Sequence, residues 1–67
     1  MHTYCLLKDR RKMVVLSENT QEETMDVYPV ENLSEYQSGQ VPVTTNVRYD
    51  EIACLDSNRA AAFGEWK

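Results

Sequence analysis

Thr3-Tyr4-Cys5-Leu6-Leu7-Lys8-Asp9-Arg10-Arg11-Lys12-Met13-Val14-Val15-Leu16 is the stretch whose reading decides the fold. Two short apolar runs, Thr3–Leu7 and Met13–Leu16, flank five consecutive charged residues. That is the pattern of a β-hairpin with a charged tip. No Gly or Asn lies in Lys8–Lys12 to specify the turn. A shorter turn at Asp9-Arg10, with the outer cations inside the strands, fits the pattern as well.

Working outward, Ser17–Thr24 (Ser-Glu-Asn-Thr-Gln-Glu-Glu-Thr) holds no apolar residue. It reads as a solvated loop with one helical turn begun by Asn19 or Thr20. Met25–Val30 reads as a third strand with Met25 and Val27 on one face, and Pro29 places it at a sheet edge or ends it. Val30, Leu33 and Tyr36 follow at three-residue spacing, which predicts a short helical turn closed by Ser38-Gly39. Val41, Val43, Thr45, Val47 and Tyr49 then alternate with polar residues and Pro42. This period of two predicts a half-buried strand over 41–49.

The segment 50–63 has competing readings. Ile52, Ala53, Ala60 and Phe63 share a helical face with Tyr49, and Gly64 suits a helix C-terminus. Asp56-Ser57-Asn58 interrupts that helix and offers an N-cap. The choices are one broken helix, a strand at Ile52–Leu55 followed by a short helix, or a strand–turn–strand about Ser57-Asn58. Three consecutive alanines at 60–62 favour a terminal helix. The resulting fold class is α+β: a small antiparallel sheet of three or four strands, an N-terminal hairpin and a short C-terminal helix. The alternative is an all-β SH3-like small barrel of five strands.

The chain has 67 residues, of which 42% are apolar and 27% charged, as in ordinary globular proteins. Residues 1–67 read as a single small domain. At this length folding buries only about 60% of the unfolded chain's surface, which leaves no room for both a deep pocket and a large core. Apolar runs reach only four residues, at Met13–Leu16 and Ala60–Phe63. A membrane span needs about 20 apolar residues and a secretion signal about 7–15. The expected location is therefore the cytoplasm, with a mature chain that begins near Met1 and no membrane partner. In that setting Cys5 and Cys54 read as reduced, small hydrophobes. A disulfide between them would instead stabilise by roughly 4 kcal/mol.

Charge is segregated. Residues 1–16 carry +3, residues 17–36 carry −6 and the remainder −1, which gives the net −4. The candidate partner-binding residues are Lys8, Arg10, Arg11 and Lys12 at the hairpin tip, Glu22 and Glu23 in the acidic stretch, and Trp66 as an aromatic anchor. Core closure is the commoner use of such a tryptophan, and a solvated tip is the commoner use of such a charge run. The acidic stretch is also able to pair with the basic tip, within the chain or between two copies.

Catalytic and metal sites find little support. His2 is the one histidine, and the cysteines are too far apart in sequence for a zinc set. Glu22-Glu23 and Asp50-Glu51 lack calcium-loop spacing, and no Gly-rich phosphate loop is present. No cofactor is expected, and an enzyme is not expected. The composition points to a small acidic protein–protein interaction or regulatory module whose partner is another protein or a second copy in a homodimer. Alternatives are a nucleic-acid-binding module using Lys8–Lys12, and an acidic inhibitor occupying a basic surface of its partner. A pI of about 4.8 weighs against the nucleic-acid alternative.

Overall fold

The fold is taken from a computed structural model that describes residues 2–64. Strands β1 (Tyr4–Leu7) and β2 (Lys12–Asn19) form the hairpin, with Tyr4 opposite Val14 and Cys5 opposite Met13. β3 (Thr24–Pro29) pairs with β2, and β4 (Thr45–Arg48) pairs with β3. β5 (Ile52–Asp56) returns to the free side of β1. The result is one antiparallel sheet of five strands in the order β4-β3-β2-β1-β5. Helix α1 (Leu33–Gln37) follows a 3-10 turn at Val30–Asn32, and helix α2 (Arg59–Phe63) follows β5. A second 3-10 turn, Tyr49–Glu51, links β4 to β5.

The class is α+β, with five strands in place of three or four. The added strand is Ile52–Asp56, so the helical reading of 50–55 does not hold. Its backbone pairs with β1 from Leu7 back to Tyr4. Five strands and a mid-chain helical connection match the SH3-like alternative, but the sheet stays open, with β4 and β5 at its two ends.

Cross-strand partners share a face, which sorts the core into two sides. On one side Cys5, Leu7, Met13, Met25, Val27 and Val47 form a buried cluster, with Val15, Tyr49 and Ile52 packed against it. On the other, Val14 and Tyr28 are fully buried. The Tyr4 ring meets Phe63 of α2 edge-on at 5.7 Å, and Tyr36 of α1 lies 5.5 Å from Tyr28. Helix α2 is set by its ends. The Asn58 side chain accepts from the Ala61 N–H at 3.1 Å, and Gly64 adopts the left-handed C-cap at φ 69°.

Two expectations change, and a third, for Pro29, narrows to one of its two readings. β2 runs on to Asn19 through exposed Ser17 and Glu18, because its backbone pairs with β3 beyond a register shift between Val15 and Ser17. A bulge of this kind bends the strand and needs no apolar side chain. Pro29 ends β3 without making it an edge strand, since β4 pairs only as far as Val27. The strand predicted over 41–49 is confined to Thr45–Arg48. There Val47 is buried, while Val41 and Val43 stand in solvent and Pro42 is buried between them. The side of the chain that faces the protein reverses between Pro42 and Thr45, so the alternation does not continue as one strand.

Candidate protein-binding surface at the hairpin tips

The basic tip is built by local backbone bonds. Arg10 donates its N–H to the Leu7 carbonyl at 2.9 Å, and Leu7 donates to Arg11 at 3.0 Å. Asp9 ties the turn together by accepting from the Arg11 backbone N–H at 3.1 Å and from Arg11 Nε at 2.8 Å. Those contacts, the backbone N–H first, hold the Asp9 carboxyl below its ordinary range. They also neutralise Arg11. Lys12 belongs to β2, with its Nζ 5.8 Å from the Phe63 ring centre. Lys8 and Arg10 are exposed and carry no ion pair among the described residues.

Arg10 adopts a left-handed backbone, φ 76°. Glycine reaches this region freely, whereas an L side chain there costs roughly 1–2 kcal/mol. Beside it Arg10, Arg11 and Lys12 wall an open groove of about 440 Å³, with Met13, Pro29 and Val30 among its apolar lining and Glu31 and Thr45 completing it.

The acidic tip, residues 20–23, is organised by Asn19, whose side-chain oxygen accepts from the N–H groups of Gln21 and Glu22 at 3.1 Å each. The expected helical turn at Asn19 or Thr20 does not form: Asn19 ends β2, and residues 20–23 make a β-turn region between two strands. Glu23 is the second non-glycine residue at positive φ, 56°. Glu22 and Glu23 line a small hollow with Arg48, Tyr49 and Asp50.

Both tips seat on the 3-10 turn between β4 and β5. Lys8 donates its N–H to Glu51 at 2.9 Å, and Tyr49 donates to Glu23 at 2.9 Å. Among the described residues no ion pair joins the two charged segments: the pairs are Arg11 with Asp9 and, at 3.9 Å, Arg48 with Asp50. Trp66 lies outside the described residues.

Other candidates resolve into structural uses. Glu51 of the Asp50-Glu51 pair accepts from the Arg48 backbone N–H at 2.8 Å and so caps the 3-10 turn. Among the described residues no three His, Cys, Asp or Glu side chains cluster as metal ligands. Cys5 and Cys54 are free thiols. Cys5 pairs with Leu55 and Cys54 with Leu6, so the two cysteines point to opposite faces of the sheet. No helix among the described residues is long and apolar enough to cross a membrane.

The residue pattern missed one contact, the Tyr49 hydroxyl donating to the Glu18 carboxylate. This bond, before burial and charge repulsion, pushes the Tyr49 phenol up to about 12. The two residues are 31 apart in sequence, and no local signal joins them. No protein-family model, curated protein or solved structure matches the chain.

Proposed function

We propose that this chain is a non-catalytic, cytosolic binding module that takes an acidic segment of another protein at the β1–β2 tip. The observation that supports it most is Arg10. The chain holds an unpaired guanidinium at φ 76° beside a groove with an apolar floor, where glycine would sit without strain. Strained backbone at a charged, exposed position is a motive for a binding role. Arg10 and Lys8 supply charge-assisted hydrogen bonds to carboxylates, and Met13, Pro29 and Val30 offer an apolar contact beside them.

The test uses a labelled peptide of alternating Glu and Leu, a matched Lys-Leu peptide and a short single-stranded DNA. The Glu-Leu peptide is expected to bind and to weaken with salt. Arg10→Gly should lower its affinity by roughly tenfold or more, while leaving stability unchanged or raising it by up to ~1 kcal/mol. Failure of the acidic peptide to bind at low salt refutes the proposal, as does binding indifferent to Arg10. DNA binding with the same dependence on Arg10 replaces it with the nucleic-acid reading.

A further inference from the structure

β4 is an edge of the sheet, and its open side has a readable hydrogen-bonding pattern. Tyr49 donates to Glu23, continuing the register that pairs Arg48 with Thr24 and Thr45 with Val27. Hydrogen-bonded and non-hydrogen-bonded pairs alternate along an antiparallel ladder. Thr45, Val47 and Tyr49 therefore turn their backbone groups towards β3. Asn46 and Arg48 turn theirs outward, and Thr44 does so when the strand is extended by one residue.

β4 carries one charge, Arg48 at its end, and the segment leading into it is the one long neutral stretch of the sequence. Tyr36–Val47 contains no Asp, Glu, Lys or Arg, although natural edge strands commonly carry charges that discourage pairing. Within it Val41 and Val43 are 87% and 84% exposed, the most exposed of the large apolar residues described.

We propose that β4 pairs with β4 of a second copy of this chain, antiparallel about a two-fold axis at Thr45. The argument for this occupant is self-complementarity. A two-fold at Thr45 sets Val43 opposite Val47 of the other copy, Val41 opposite Tyr49, and Thr45 opposite itself. The outward backbone groups of Thr44 then meet those of Asn46. Pro42, which lacks an N–H, falls opposite Arg48 at the end of the ladder, where one missing donor matters least. No like charges face each other. Because each copy carries −4, this neutral stretch is where two copies approach with least repulsion. Residues 41–44, whose Pro42 is buried in the single chain, straighten onto the partner edge as β4 lengthens. One strand per copy makes a small interface, of the weak and transient class.

Sedimentation analysis of the full chain from roughly 5 to 500 µM tests this at low and high salt. A monomer–dimer equilibrium is expected that tightens as salt screens the repulsion between two acidic copies. Val43→Lys places like charges near the axis and should weaken it by roughly tenfold or more. Val43 is so exposed that the variant should fold, which circular dichroism confirms. Amide exchange at Thr44 and Asn46 should slow as concentration rises. A strict monomer at the highest concentration overturns the proposal. So does a dimer untouched by Val43→Lys, or one that weakens with salt, since that signals contact between the charged tips. Binding of the Glu-Leu peptide is scored separately on the monomer, so either proposal can fail alone.

Discussion

Val47→Ala and Val43→Ala together test where the alternating run stops being a strand. The two valines occupy equivalent places in the sequence pattern, but Val47 is 1% exposed in the core cluster and Val43 is 84% exposed. Removing two buried methyl groups at Val47 forfeits about 1.6 kcal/mol of transfer free energy, and the cavity left behind raises the loss to about 2–3 kcal/mol. A domain of this length has a total stability of only about 3–10 kcal/mol. The variant should therefore melt about 10–20 °C lower. Val43→Ala removes solvated surface and should fall within ~0.5 kcal/mol of the parent. Urea unfolding followed by far-ultraviolet circular dichroism, at low micromolar protein to disfavour association, reads both with the same slope. Equal losses at the two positions would refute the reasoning, because they would mean that Val43 is packed in a strand running back to Val41.

Three further outcomes follow from single contacts. Asn58→Ala removes the cap that accepts from Ala61 and should cost about 1 kcal/mol in urea unfolding, whereas Asn58→Asp should retain most of it. Burial, then the neighbouring Cys54, pushes the Cys5 thiol up from 9.0 to about 11. The unfolded chain therefore ionises this thiol first, so its contribution to stability is complete below pH 9 and is lost between pH 9 and about 11. Melting temperatures over that window should fall less steeply for Cys5→Ala than for the parent, and parallel slopes would contradict the assignment. The phenolate absorbance of Tyr49 should rise only near pH 12. Glu18→Gln should return that titration towards the ordinary tyrosine value of about 10, and an unchanged curve would remove Glu18 as the cause.

Most of the sheet was legible because it obeys local rules. The N-terminal hairpin follows from two apolar runs around a charged tip, and β3 from Met25 and Val27. The mid-chain helical turn follows from Val30, Leu33 and Tyr36. Two elements were not settled by the sequence, for different reasons. β5 is half-exposed along its length, with Ile52, Cys54 and Asp56 partly covered and Ala53 and Leu55 open. Pairing with β1, 45 or more residues earlier, and not its own periodicity makes it a strand. The 41–44 segment failed in the opposite direction, since its periodicity is that of a strand but Pro42 takes the buried place and turns the valines outward. A period of two states that alternate residues share a side, not which side is inside.

The candidate site was legible as charge and illegible as chemistry. Five consecutive charged residues show that a tip is charged, but they do not divide its labour. Asp9 occupies Arg11 through two hydrogen bonds, and Lys12 joins the strand beside Phe63, so the cations left to a partner are Lys8 and Arg10. Backbone conformation supplies the rest. Without a glycine in Lys8–Lys12, some residue of the tip has to turn the chain, and Arg10 does so at positive φ. A solubilising turn has no need of that arrangement, because glycine would close it at lower strain with cations on either side. The strain at Arg10 is therefore the physical difference between a tip that only keeps the chain in water and one that presents a guanidinium in a fixed direction. Arg10→Gly separates them: relief of the backbone strain is the same for both, but only the second loses its partner.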